Sequence, residues 1–234
     1  MEEARESRLG ILYGVGVGPG DPGLVTLRAV EVIGACPTVA FPVHKEGASS
    51  RALETVRAHV PAEARLLPLL MPMTRDAAKL EAAHEAAARQ ITQAAAEGDV
   101  AYLSLGDPLF YSTFGYLAAR FPGEVRAVSG VAAMSACAAA LGEPMSAGDR
   151  PTAVVTGADH ESIRLALEMG GSLVIMKPRG LSEESLDLLE RSGALGRASA
   201  GVELGGSDER IIPALDRETA AKLPYFSLVW IKSP

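Results

Sequence analysis

Short apolar runs of strand length alternate with helix-period segments along almost the whole chain, and few folds accommodate that order. Residues 11–17, 38–41, 65–70, 99–105 and 124–128 read as strands, with Pro42 and Pro72 closing the second and third. Between them, residues 24–35, 49–59, 76–97, 113–120 and 131–141 read as helices. In the first of these Leu24, Leu27, Val30 and Ile33 line one face, and in the long alanine-rich one Leu80, His84, Ala87, Ile91 and Ala94 do so. That helix stops at Gly98, which can take the left-handed conformation of a helix end. Strands buried on both faces read as continuous apolar runs, so this order predicts a parallel sheet covered by helices on both sides.

The rhythm breaks at residues 142–151, Gly-Glu-Pro-Met-Ser-Ala-Gly-Asp-Arg-Pro, a stretch of turn formers without periodicity. It restarts with strands at 152–156, 172–176, 198–204, 210–212 and 225–232. Helices fall at 159–169, with Asp159 as N-cap, at 182–191, opened by Ser-Glu-Glu, and at 216–223. The expected fold class is α/β, with two domains. An N-terminal domain over residues 1–143 carries the parallel sheet, and a C-terminal domain over 149–234 carries a mixed one.

The 234 residues supply enough apolar content for a sizeable core. A formal net charge of −7 argues against a general nucleic-acid binder, and an acidic ligand would need a local basic patch. Cys36 and Cys137 lie in apolar, alanine-rich contexts and read as buried thiols of a reducing compartment. The opening residues 1–8 are polar and charged, unlike a signal peptide, and no apolar run approaches a membrane span. A soluble, cytoplasmic protein is expected.

Two Gly/Pro/Asp loops follow apolar strands roughly ninety residues apart: Gly-Val-Gly-Val-Gly-Pro-Gly-Asp-Pro at 14–22, and Gly-Asp-Pro-Leu-Phe-Tyr-Ser-Thr at 106–113. They suggest two edges of one cleft. The dinucleotide fingerprint Gly-x-Gly-x-x-Gly fails here, because its last position falls on Pro19 or Asp21. Phosphate cradling needs free backbone N–H groups, which Pro19 and Pro22 lack, and Asp21 would repel the anion. The P-loop pattern also fails, since Leu24-Val25 follows Gly23. A ligand without phosphates, carrying positive charge, fits these loops better.

Residues 13–30, Tyr-Gly-Val-Gly-Val-Gly-Pro-Gly-Asp-Pro-Gly-Leu-Val-Thr-Leu-Arg-Ala-Val, resemble the opening motif of the tetrapyrrole (corrin/porphyrin) methyltransferases. Residues 106–114 resemble that superfamily's second motif, and Val128-Ser129-Gly130-Val131 stands where its third motif would lie. Within the superfamily, Leu-Phe-Tyr-Ser-Thr at 109–113, Val-Ile-Met-Lys at 174–177 and Pro-Tyr-Phe-Ser-Leu at 224–228 resemble the precorrin-2 C20-methyltransferases of cobalamin synthesis. The resemblance spans nearly the whole chain. It implies two α/β domains with an active-site trough between them, a homodimer, and S-adenosylmethionine as cofactor. It also implies methyl transfer to C20 of precorrin-2 or of its cobalt complex, cobalt-factor II.

Carried onto this sequence, the resemblance gives cofactor contacts to Pro19, Asp107, Phe110, Thr113, Ala132 and Ala133, and around the adenine to Met176, Val202 and Ser227. The chain departs from the pattern at Ser129, where proline is usual, and at Ala132-Ala133, where serines are usual. Methyl transfer from a sulfonium is an in-line displacement that rests mainly on positioning. No metal is expected, and His84-Glu85 and His160-Glu161 lack the second histidine of a zinc helix. Tyr111 and Asp21 are candidates to take the proton leaving the methylated carbon, although Asp21 equally suits an N-cap. The carboxylates of a tetrapyrrole need cations, and His44, Lys45, Arg51, Arg75, Lys177 and Arg179 all follow strand ends. Other readings are a methyltransferase of the same superfamily acting elsewhere, a nucleotide-linked oxidoreductase, and a cofactor-binding protein without this activity.

Overall fold

The computed structural model describes residues 9–146 and 148–234; the polar opening segment 1–8 and Ala147 lie outside them. The chain divides into two compact units, residues 1–132 and 133–234. This division falls ahead of the turn-rich stretch 142–151 expected to separate the domains.

The first unit is built on a five-stranded sheet of β1 (Leu12–Gly16), β2 (Thr38–Val43), β3 (Arg65–Leu70), β4 (Val100–Ser104) and β5 (Val125–Val128). The spatial order is β3-β2-β4-β1-β5, and every pairing is parallel. All residues of β1 and β4 are buried, as expected for strands flanked on both faces. One face packs Val15, Ile33, Val39, Val56 and Leu103 beneath α1 (Leu27–Ala35) and α2 (Arg51–Val56). The other packs Leu69, Ile91, Tyr102, Phe114 and Leu117 beneath α3 (Ala77–Ala95) and α4 (Phe114–Ala118).

Two expectations shift by a few residues. The first helix begins at Leu27, not at residue 24, because Pro22–Leu24 forms a separate 3₁₀ turn and Thr26 then caps α1 by accepting from the Ala29 N–H. Its buried stripe is therefore Ala29, Val32 and Ile33, and Leu27 is 84% exposed. Strand β2 also runs through Pro42, where a stop is expected. The Met71 N–H donates to the Val43 carbonyl, so Val43 faces β3 and Pro42 faces the β4 side, where pairing has already ended at Ala40. The missing donor there costs no ladder bond.

In the second unit β6 (Thr152–Thr156), β7 (Ser172–Met176), β8 (Ala198–Val202), β9 (Arg210–Ile212) and β10 (Ser227–Ile231) form a sheet of order β6-β7-β10-β8-β9. Only β6 and β7 are parallel; the other pairings are antiparallel, giving the expected mixed sheet. Helices α6 (His160–Glu168), α7 (Glu183–Arg191) and α8 (Arg217–Ala221) cover one face, each capped by the Asp or Ser before it. The opposite face holds Trp230, Leu228 and Val174 against α5 (Ala133–Leu141), whose Cys137 is buried among them. This packing is why α5 belongs with the second unit. Cys36 and Cys137 are both free and buried, and burial raises their thiols to about 12 and about 11 respectively.

His84 on α3 is buried and stacks face to face on Tyr116, with ring centroids 4.7 Å apart. Burial, together with the nearby Arg120 guanidinium, lowers its pKa below the ordinary histidine value, against an opposing pull from Glu81. A base with a depressed folded-state pKa contributes stability that is present above the unfolded value and lost as pH falls through it. Stability toward urea is therefore expected to decline as pH drops from about 7.5 to below about 6.5. In His84→Phe, which keeps the stacking, the same denaturation series should lose this part of the slope; an unchanged slope would assign it to other groups.

Candidate functional site

The parallel order β2-β4-β1-β5 brings together, at the C-terminal ends of the strands, three loops that are distant in sequence. They follow β1 (residues 17–21), β4 (105–113) and β5 (129–132). The first two are fastened main chain to main chain. The Gly106 N–H donates to the Gly18 carbonyl at 2.7 Å and the Gly18 N–H to the Gly106 carbonyl at 3.3 Å. Both glycines have positive φ, +77° at Gly18 and +76° at Gly106, a conformation that L side chains resist.

The third loop is pressed into the same contact. A Cβ on Gly130 would stand 2.1 Å from the Gly106 carbonyl oxygen, and one on Gly16 would stand 2.5 Å from the Gly130 nitrogen. Neither distance is physically tolerable. Asp107 completes the junction: its Oδ1 accepts from the Leu109 N–H at 2.8 Å, and its Oδ2 accepts from the Gly130 N–H at 3.0 Å. One carboxylate thus orders its own loop and ties it to the next by charge-assisted bonds.

Around this junction lie the residues expected from sequence. Pro19 is buried, while Phe110 and Thr113 are half-buried. Tyr111, 44% exposed, has a left-handed φ of 50° and meets the Phe110 ring edge-on at 5.0 Å. Asp21 is exposed and accepts from the Gly23 N–H at 2.7 Å, capping the 3₁₀ turn Pro22–Leu24. Ala132 ends the first unit and Ala133 opens α5 in the second. His44 and Lys45 follow β2, Arg51 opens α2, and Arg75 lies beyond β3, all at the same sheet edge as the loops.

In the second unit Met176, Val202 and Ser227 stand at one end of three adjacent strands. Ser227 pairs with Val202, and Leu228 pairs with Met176. The Ser227 side chain is buried, and its Oγ is one of few buried polar atoms without a hydrogen-bond partner among the described residues. The strands end in strained turns: Lys177 after β7 and Glu203 after β8 both have left-handed φ, 52° and 53°. Arg179 lies in the short 3₁₀ turn Pro178–Gly180 that follows.

Sequence reading missed the hydroxyls beneath the second loop. Tyr102 OH lies 2.6 Å from Thr113 Oγ1, and Ser104 Oγ lies 2.7 Å from Ser112 Oγ. The available signal was a tyrosine and a serine two apart in a strand otherwise made of Val, Ala and Leu. His84 lies on α3 and His160 on α6, the latter bonded through Nδ1 to Ser185 Oγ at 3.0 Å. Among the described residues no group of three or more His, Cys, Asp or Glu is gathered as a metal site, and no helix is long and apolar enough to cross a membrane.

The family model described as Tetrapyrrole (Corrin/Porphyrin) Methylases matches residues 11–219. A curated relative from a Sinorhizobium species, named Precorrin-2 C(20)-methyltransferase, is 34% identical over 95% of both chains. Another from Methanocaldococcus jannaschii, named Probable cobalt-precorrin-2 C(20)-methyltransferase, is 35% identical over 74% of each. Among solved structures, uroporphyrin-III C-methyl transferase from Thermus thermophilus complexed with S-adenyl homocysteine shares the fold. Its TM-score is 0.70 at 23% identity, covering 95% of this chain and 97% of that one.

The glycine junction predicts a ranking of alanine variants by thermal denaturation. Gly130→Ala is expected to lose about 2–3 kcal/mol, because backbone must move to admit the methyl. Gly106→Ala, with open space around it, should lose only the roughly 1–2 kcal/mol of a left-handed non-glycine residue. Gly115→Ala, unhindered on α4, should gain up to about 1 kcal/mol.

Proposed function

Since the chain belongs to the tetrapyrrole (corrin/porphyrin) methylase family, we propose that it transfers a methyl group from S-adenosylmethionine to C20 of precorrin-2 or of cobalt-factor II, in cobalamin biosynthesis. The observation that carries this reading is the end-to-end similarity, 34% over 95% of both chains, to a protein named for that reaction. The three-loop junction at the edge of the first sheet supports it.

The residues present suit the cofactor. The loops that would approach it carry Pro19, Pro22 and Pro108 where a phosphate cradle needs N–H donors, and Asp21 and Asp107 where it needs no anion. In the second unit, the orphaned Ser227 hydroxyl is a buried polar group awaiting a partner, as an adenine edge would provide. Pro19, Asp107, Phe110, Thr113 and Ala132 would contact the cofactor from the first unit; Ala133, Met176, Val202 and Ser227 would do so from the second. When bound, S-adenosylmethionine supplies an electrophilic methyl on its sulfonium.

The chain's own task is geometric. An in-line displacement gains most from holding donor and acceptor in attack alignment, and the acceptor carbon of a reduced tetrapyrrole is already electron-rich. C20 carries a hydrogen that must leave as a proton once the carbon is methylated, and the chain would have to supply its acceptor. Tyr111, exposed on the second loop with a left-handed φ of 50°, would receive the proton directly or through water. Asp21 is the second candidate, and its bond to the Gly23 N–H gives it a capping role as well. His44, Lys45, Arg51 and Arg75 would meet substrate carboxylates in the first unit, and Lys177 and Arg179 in the second. A homodimer in the cytoplasm, without nucleic-acid or membrane partners, completes the reading.

Calorimetric titration should show binding of S-adenosylmethionine and none of NADH. Incubation with precorrin-2 and, separately, with cobalt-factor II should yield S-adenosylhomocysteine and a product methylated at C20 with at least one of them. Methylation at another carbon would move the chain within the family, and cofactor binding without turnover of either would make it a binding protein. Tyr111→Phe is expected to lower kcat by about a hundredfold if its hydroxyl takes the proton. Asp21→Asn, which keeps a good cap, should stay within about twofold of wild type; a larger loss would transfer the proton role to Asp21.

A further inference from the structure

We propose that Tyr102 and Ser104 are positioning residues that fasten the second loop from beneath and so fix the placement of its Phe110, Tyr111 and Thr113. For the ligand that the loop serves, the proposal rests on the methyl-transfer reading above. The two residues are two apart on the fully buried strand β4, so their side chains leave the same face of the sheet. Each presents a hydroxyl to one of two consecutive loop residues: Tyr102 to Thr113 at 2.6 Å, and Ser104 to Ser112 at 2.7 Å. Ser112 Oγ also accepts from the N–H of Phe114, the first residue of α4, at 3.1 Å.

The surroundings make these hydroxyls informative. Tyr102 has no exposed surface and lies among Leu12, Ala40, Leu69, Phe114 and Leu117. For packing alone a phenylalanine would serve there, since a buried hydroxyl must recover its lost hydration through a partner. Burial raises the phenol to about 12, so at neutral pH it is a protonated hydroxyl that can donate to or accept from Thr113 Oγ1. Thr113 supplies the partner from the loop.

Tyr111 stands directly before this double fastening. Upstream, the loop is held by the Asp107 carboxylate at the Leu109 N–H and by the Asp107 carbonyl, which accepts from the Phe110 N–H at 3.4 Å. Tyr111 is thus flanked by restrained segments on both sides while its own backbone adopts a left-handed φ of 50°. Such a conformation costs a tyrosine about 1–2 kcal/mol and persists only where the surroundings over-determine it. The two hydroxyl pairs on its C-terminal side are part of that determination. Without them the residue would relax toward ordinary φ and carry its ring away from the loop's apex.

The test uses Tyr102→Phe, Ser104→Ala, Ser112→Ala and the double variant of the two serines, in the full chain. Amide hydrogen exchange of segment 106–113 is expected to quicken by about tenfold in each single variant, while the melting temperature falls by no more than about 4 °C. Affinity for S-adenosylhomocysteine, read by calorimetry, should weaken by about tenfold, and the serine double variant should be less impaired than the product of the singles. Exchange in 106–113 equal to wild type in Tyr102→Phe and Ser104→Ala would overturn the fastening. Faster exchange with undiminished affinity would overturn the positioning role. A wild-type chain that binds no S-adenosylhomocysteine would instead overturn the methyl-transfer reading, and the exchange measurement would still decide whether the hydroxyls hold the loop.

Discussion

Three backbone segments meet at a contact that Gly16 and Gly130 keep free of side chains, and the first unit is arranged around it. Gly16, Gly106 and Gly130 come from the ends of β1, β4 and β5, or just beyond them, and a methyl on Gly16 or Gly130 would collide with main-chain atoms. The parallel sheet places β1 between β4 and β5 and so delivers the three loops to one point. The strand order therefore serves the junction: the chain runs outward through β2 and β3, then returns so that β4 lies beside β1. Open parallel sheets bind ligands at such reversals, outside the carboxyl ends of the strands.

Polar groups hold what the glycines bring together. Asp107 spends one carboxylate oxygen on its own loop and the other on Gly130, so the loops are joined by bonds stronger than neutral amide pairs. A carboxylate keeps further lone pairs, and bracing is compatible with ligand contact. The hydroxyls of Tyr102 and Ser104 rise from the sheet to the same loop. The second unit shows the contrasting arrangement: Ser227 ends its strand pairing with a buried hydroxyl that no described residue satisfies. A buried polar atom without a partner is costly, and a ligand that met it would recover that cost on binding.

Much of this order was legible in the sequence. Apolar runs uninterrupted by polar positions identified β1 and β4 as strands buried on both faces, and the turn-rich stretch after residue 141 separated a parallel pattern from a mixed one. The strand at Arg65–Leu70, the cap at Asp159 and the helix opening at Ser182 follow from local chemistry alone. What escaped was tertiary. Leu27 fits the helical period yet is exposed, because a 3₁₀ turn ahead of α1 resets the phase of the buried stripe. Helix α5 follows β5 in the chain but packs against Trp230 and Leu228, a preference that periodicity cannot express. The partners of Tyr102, Ser104 and Asp107 depend on loop conformation, which the residue types permit without specifying.

The proposed reaction would bring an acidic substrate to an acidic chain. Exposed charges farther apart than roughly 8 Å are largely screened at physiological salt, so the net charge of −7 matters less than what lines each loop. The inner loops, joined at the glycine junction, carry Asp21 and Asp107 and have prolines at 19, 22 and 108, a composition that suits a sulfonium better than a phosphate. Lys45, Arg51 and Arg75, with His44, come instead from the segments after β2 and β3, which also carry Glu46 and Asp76, farther along the same sheet edge. In the proposed reaction this edge would meet a cationic cofactor at its centre and a polycarboxylate toward its flank. Had the cations been set into the glycine loops, their repulsion of the sulfonium would have opposed the alignment that in-line methyl transfer requires.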